Sequence, residues 1–127
     1  MRLSDHRYGR LAEAMAAWAL RFRGYRILGR NVRVAGREVD LVARRGGLLV
    51  ICEVKARRTH SFGPPLSAVD ARKQRRLHDA ATVLLARDPT LERVRFDVIT
   101  VDRYSVTHVP AAFSLLDDEP ARFRHIA

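Results

Sequence analysis

Two strand-like segments, residues 37–43 and 48–55, lie on either side of a glycine-containing junction, and each carries carboxylates among apolar side chains. The first reads Arg37-Glu38-Val39-Asp40-Leu41-Val42-Ala43 and the second Leu48-Leu49-Val50-Ile51-Cys52-Glu53-Val54-Lys55. Burying an unpaired charge in an apolar strand is costly, so these acids and the lysine call for partners. Strand alternation sets Val39, Leu41 and Ala43 on one face and Glu38, Asp40 and Val42 on the other. With Arg44-Arg45-Gly46-Gly47 as the connecting loop, Ala43 faces Leu48, Asp40 faces Ile51 and Glu38 faces Glu53. One face then gathers Glu38, Asp40, Ile51, Glu53 and Lys55. Asp40 and Glu53 become diagonal neighbours, roughly 7–8 Å apart at the backbone. A one-residue change in loop length would send one acid to the opposite side of the sheet. Two carboxylates that share a hard divalent cation, with an ammonium alongside, are what metal-dependent phosphodiester hydrolysis requires. The competing reading is a salt-bridge cluster at a sheet edge.

Composition fits a polyanionic partner. The formal net charge is +10 over 127 residues, and the isoelectric point is near 11.2. Residues 1–60 hold 14 Lys and Arg against 5 acids, whereas residues 61–127 hold 10 against 9. A basic half suits nucleic acid; a composition biased toward arginine, leaving a solvated basic surface, would look similar. Only two of the 24 basic residues are lysines, Lys55 and Lys73. Where arginine is the default, lysine is expected to persist where a compact ammonium fits and a planar guanidinium would crowd its neighbours.

Several functional classes are disfavoured. The five histidines are scattered without zinc-site spacing, and the single cysteine, Cys52, reads as a small core residue. No apolar run approaches the roughly 20 residues of a membrane span. The first residues lack the apolar core of a signal peptide, and neither a P-loop nor a G-x-G-x-x-G motif occurs. The chain reads as cytoplasmic, with no membrane partner.

Leu11, Met15, Trp18 and Phe22 recur at helical spacing, which predicts an amphipathic helix over residues 6–23 with this stripe in the core and Gly24 as its stop. Strands follow over 25–34, 37–43 and 48–55. Gly63-Pro64-Pro65 breaks the chain, and Ser67-x-x-Asp70 reads as a capping box. It opens a helix running to about Arg87 that buries Val69, Leu77, Ala80, Ala81 and Leu84. Residues 94–101 form a fourth strand and 105–109 a short fifth. Asp97 reads as a structural acid paired with an arginine. The order α-β-β-β-α-β describes an α/β domain, a mixed sheet flanked by helices. It is expected to occupy residues 1–116, with residues 117–127 as a tail.

This order, with acids on the second and third strands, resembles the PD-(D/E)xK, or restriction-endonuclease-like, nucleases. The similarity is closer to one branch, the YraN-like proteins, which are similar to archaeal Holliday junction resolvases. It covers most of the chain: Gly9-Arg10-Leu11-Ala12-Glu13, Gly24-Tyr25, Asn31, Glu38 to Val42, Glu53-Val54-Lys55-Ala56-Arg57, Lys73-Gln74-x-x-Leu77, Arg95-Phe96-Asp97-Val98 and Ala112-Phe113. The chain departs from the pattern at Val39, where proline is common, and at Arg37, where this branch often has glycine. The resemblance implies a restriction-endonuclease-like core, with Asp40 and Glu53 as ligands of Mg²⁺ or Mn²⁺ and Lys55 orienting or activating water. It also implies Glu13 as a further metal ligand. Resolvases of this fold are dimers, so a homodimer is a further expectation.

Around these residues, Glu38 reads equally as a ligand or as the partner of a local arginine. Lys73 and Gln74 read as contacts to phosphate, as part of the site, or as a solvated helix start. Arg30, Arg33, Arg57, Arg58, Arg72 and Arg76 are the candidates for holding a nucleic-acid backbone. Two functions lead. One is a metal-dependent endonuclease acting on structured or branched DNA, Holliday junctions included. The other is a non-catalytic nucleic-acid-binding or assembly module that keeps the nuclease fold. A third, an RNA-processing factor, is allowed by the charge and excluded by no residue.

Overall fold

The computed structural model describes residues 5–57, 70–103 and 105–113. Helix α1 (Asp5–Phe22) is followed by strands β1 (Arg26–Val34), β2 (Arg37–Arg45) and β3 (Leu48–Ala56). Helix α2 (Ala71–Arg87) and strands β4 (Arg93–Val101) and β5 (Val106–Val109) complete the order. The strands form one mixed five-stranded sheet in sequence order. All neighbours pair antiparallel except β3 and β4, which run parallel. A parallel pair needs a crossover, and α2 lies within the one joining β3 to β4. No helix among the described residues is long and apolar enough to cross a membrane.

Helix α1 ends as its sequence predicts. Gly24 takes φ +90°, and the N–H groups of Gly24 and Tyr25 donate to the carbonyls of Arg21 and Leu20, both at 3.0 Å. This is the paired closure that a left-handed glycine allows. The helix is rotated from the expected orientation, however. Its buried face is Ala12, Ala16, Ala17 and Leu20, whereas Trp18 is 57% exposed and Phe22 is 85% exposed, with Leu11 and Met15 also exposed. The reading of Trp18 and its stripe as core is therefore wrong. Both stripes recur at helical spacing, so periodicity alone does not choose between them. Alanines let the helix backbone approach the sheet closely, and Leu41, Val50, Cys52 and Ile99 supply the packing volume from the sheet side.

Helix α2 covers the other side of the sheet over Val42, Leu49, Ile51, Val94, Phe96 and Val98. Asp70 is its N-cap, and its carboxylate accepts the Lys73 N–H at 2.9 Å. The expected capping box gave Asp70 a different place, and its other member, Ser67, lies outside the described residues, as does Val69. Leu77, Ala80 and Ala81 are buried as expected, and Leu85 rather than Leu84 is the fourth buried residue. One turn of helix separates successive members of the stripe at 77, 81 and 85, and Leu84 falls on its flank, so it packs only against the edge of the cluster.

The β2–β3 junction is tighter than the four-residue loop expected. Arg44 pairs with Leu49 and Arg45 with Leu48, so the turn is Gly46-Gly47. Gly46 takes φ +59°, the left-handed geometry that two-residue hairpin turns need. The Arg44 guanidinium donates to the Gly46 carbonyl at 2.8 Å and to Asp88 at 3.1 Å, which holds it in the strand rather than in a loop. The difference is two residues, so the changed register leaves Asp40 and Glu53 on one face. Strict alternation does fail at Val39, which packs with Val34 and Val42 on the α2 side rather than with Leu41 and Ala43.

Candidate active site

The β2–β3 ladder runs as far as Leu41 opposite Cys52. One step further, the same register sets Asp40 across from Glu53, closer than the diagonal relation expected from sequence. Asp40 does not continue the ladder with its backbone there. Its carboxylate accepts the Val54 N–H at 2.8 Å instead, so the strand end is closed by a side chain that points at its neighbour's acid. Glu53 is only 3% exposed. Burial raises the Asp40 carboxyl from 3.8 to about 7, and the negative charge of Glu53 adds to that rise. The Val54 N–H and the Lys73 ammonium act in the opposite direction. Two acids this close resist carrying two negative charges, so Asp40 keeps its proton to higher pH than a free carboxyl does.

Both lysines of the chain converge on Glu53. Lys55, two residues further along β3 and on the same face, places its ammonium 3.5 Å from Glu53 Oε1. Lys73 reaches the same oxygen from the first turn of α2. The Lys55 contact is what the acid-x-lysine spacing predicts. The Lys73 contact crosses from helix to sheet; lysine scarcity and the Lys73-Gln74 segment marked the residue as a candidate, but no spacing rule gave its partner. Beside Lys55, across the parallel pair with β4, stands Thr100. Its buried hydroxyl has no hydrogen-bond partner among the described residues.

Asp40 and Lys73 open onto a cleft of about 320 Å³, whose other lining residues are Gly36, Arg37, Glu38, Arg76 and Leu77. Glu38 is therefore at the site, exposed on its rim. Arg37 is a site residue that sequence reasoning missed; it lies 3.7 Å from Asp79 of α2 and contributes positive charge to the cleft wall. Arg76 lines the cleft, whereas Arg72 is exposed outside that lining. Arg33, exposed, stands opposite Glu38 on the edge strand. Arg30 donates to the Arg10 carbonyl at 3.4 Å. The Arg57 carbonyl accepts from the Tyr8 hydroxyl at 2.7 Å, and Arg58 lies outside the described residues. Gln74 is partly buried on α2, and its N–H bonds the Asp70 carbonyl at 2.9 Å. Glu13 accepts from Asn31 at 3.4 Å. Among the described residues no three of His, Cys, Asp and Glu come together as a metal-holding group, so Glu13 does not complete a set with Asp40 and Glu53.

The opposite face of the sheet carries a second polar cluster. Arg95 and Asp97, two residues apart on β4, form a two-pronged ion pair at 2.8 Å on each arm. Arg95 also donates to the Tyr25 hydroxyl at 2.7 Å. Asp97 accepts the Ala111 N–H at 3.0 Å and contacts His108 Nε2 at 2.7 Å. Burial would raise the Asp97 carboxyl, but the hydrogen bonds from Arg95 and His108 outweigh it and hold the group below its usual range. The expectation of a structural acid paired with arginine describes this cluster.

Residues 12–101 match the family described as uncharacterised protein family UPF0102. The chain belongs to the UPF0102 family. It is 48% identical over 101 residues to a UPF0102 protein of Symbiobacterium thermophilum, covering 77% of this chain and 84% of that protein. It is 39% identical over 120 residues to a UPF0102 protein of Geobacter metallireducens, covering 91% of this chain and 98% of that one. A UPF0102 protein of Syntrophotalea carbinolica is 45% identical over 113 residues, covering 84% and 91%. The UPF0102 match takes in Asp40, Glu53, Lys55 and Lys73, and so spans the whole carboxylate–lysine cluster.

Proposed function

We propose that this UPF0102 protein is a metal-dependent nuclease that hydrolyses phosphodiester bonds in structured or branched DNA. The observation that carries the reading is the facing pair Asp40 and Glu53, held together at a strand end with a cationic cleft beside it. The donor set suits Mg²⁺ or Mn²⁺. Mg²⁺ is usually held by one or two carboxylates while keeping several waters, and needs no full protein cage. A carboxyl raised to about 7 by burial and a neighbouring acid is relieved when a cation replaces the proton. When bound, such an ion supplies Lewis acidity beside the phosphate and acidifies a water.

The protein's own groups do the rest. Asp40 and Glu53 would hold the ion, and Glu53 is fixed for this by burial in β3. Lys55 adds positive charge where the phosphate becomes more negative. Arg37 and Arg76 would bind backbone phosphates along the cleft without reading bases, so affinity falls as salt rises.

The Lys73–Glu53 pair favours a second reading. An ammonium that permanently takes the cation's place would leave a non-catalytic nucleic-acid-binding module on the same fold. The experiment that separates the two uses purified protein with duplex, flap, four-way-junction and single-stranded DNA, with Mn²⁺, with Mg²⁺ and with neither. The nuclease reading expects metal-dependent cleavage of at least one substrate, lost by orders of magnitude in Asp40→Asn and Glu53→Gln. Binding without cleavage in either metal establishes the module instead.

A further inference from the structure

We propose that Lys73 is a cation-displaced ammonium: it holds Glu53 while no divalent ion is bound, and moves into the adjoining cleft to meet a backbone phosphate when one binds. The inference rests on the nuclease reading for the ion and deepens it, because it couples the ion's arrival to substrate capture.

Glu53 carries more cationic partners than its charge requires. Lys55 is tied to it through the same strand at 3.5 Å, and Lys73 makes the closer contact from a different element. Glu53 is 3% exposed, so little water competes for it, and removing one ammonium still leaves the other. The two lysines differ in where else they can go. Lys73 lines the cleft and Lys55 does not. The Lys73 backbone is fixed by the Asp70 cap at 2.9 Å, while its ammonium sits at the end of a flexible four-carbon arm whose side chain is 36% exposed.

A doubly charged ion shared by Asp40 and Glu53 would repel an ammonium on the same carboxylate oxygen, and at such range in a partly buried site the repulsion is strong. Lys73 already lines the adjoining cleft, so a change of rotamer carries its ammonium from Glu53 further into it. The cleft of about 320 Å³ already holds Arg37 and Arg76, and a third cation there builds a phosphate site. Lysine suits this exchange better than arginine, because a point-charge ammonium leaves a carboxylate more readily than a planar fork bonded at two points. It is also one of only two lysines in a chain with 24 basic residues. The exchange makes ion and DNA binding reciprocally favourable, since each releases or uses the same ammonium.

The test compares the parent chain, Lys73→Met and Glu53→Gln by calorimetric titration with Mn²⁺, after thermal melts confirm that each is folded. DNA affinity is then measured by anisotropy with and without Mn²⁺ in a Lys55→Met background that slows turnover, once with Lys73 intact and once with Lys73→Met added. Lys73→Met is expected to bind Mn²⁺ about tenfold tighter than the parent, at the lower end of what groups around a metal's ligands change. It is also expected to lose the Mn²⁺-induced gain in DNA affinity. If Lys73→Met binds Mn²⁺ no tighter than the parent, or keeps that gain, the exchange is refuted while the nuclease reading stands. If the parent does not bind Mn²⁺, or Glu53→Gln binds it equally well, the metal site fails and takes the exchange with it.

Discussion

Replacing Asp40 with asparagine should stabilise the metal-free protein. Burial and the charge of Glu53 raise the Asp40 carboxyl from 3.8 to about 7. Between those values the folded protein keeps a proton that the unfolded chain has lost, so stability falls as pH rises through that window and the loss is complete above about 7. At 1.36 kcal/mol for each pH unit, the full cost is on the order of 4 kcal/mol. Relaxation around the paired acids should bring the observed figure to about 2–4 kcal/mol. Asparagine removes the titration while keeping an acceptor for the Val54 N–H and a donor toward Glu53. Urea unfolding in EDTA at pH 5 and pH 8 measures the effect. Asp40→Asn should exceed the parent clearly at pH 8 and by much less at pH 5. Saturating Mn²⁺ should raise the parent's midpoint and leave the variant's nearly unchanged. A variant less stable than the parent at pH 8, or a gain independent of pH, would refute the reasoning.

Two further outcomes test the rest of the structure. Trp18→Ser should change stability by less than about 1 kcal/mol, because the ring is 57% exposed, whereas truncating a buried Trp typically costs about 3–5 kcal/mol; chemical denaturation followed by circular dichroism decides which applies. Asp97→Ala should cost about 3–5 kcal/mol, since it leaves the buried Arg95 without its ion pair, and paired replacement of Arg95 and Asp97 by apolar residues should recover much of that loss in the same assay.

The carboxylate face was legible because strand alternation has a period of two residues and the true turn differs from the expected one by an even number. An odd difference would have separated Asp40 from Glu53. The orientation of α1 was not legible. Leu11, Met15, Trp18 and Phe22 carry the stronger hydrophobic signal, but close packing on a sheet selects the alanine stripe, and that preference depends on what the sheet already fills. The Lys73 contact was out of reach of spacing rules because it joins a helix to a strand across 20 residues of sequence. Lysine scarcity hinted at it without saying which carboxylate it meets. Arg95-x-Asp97 did have a readable signal, opposite charges on one face of an otherwise apolar strand. Its partners Tyr25 and His108 come from distant parts of the chain, and only the fold brings them together.

The central question is whether Asp40 and Glu53 hold a cation. Crystals grown with Mn²⁺ and measured for its anomalous scattering would locate it. One strong peak bonded to both carboxylates is expected, with the Lys73 ammonium withdrawn from Glu53 into the cleft. A map with no peak there, or with Mn²⁺ only elsewhere and Lys73 still on Glu53, would contradict that expectation.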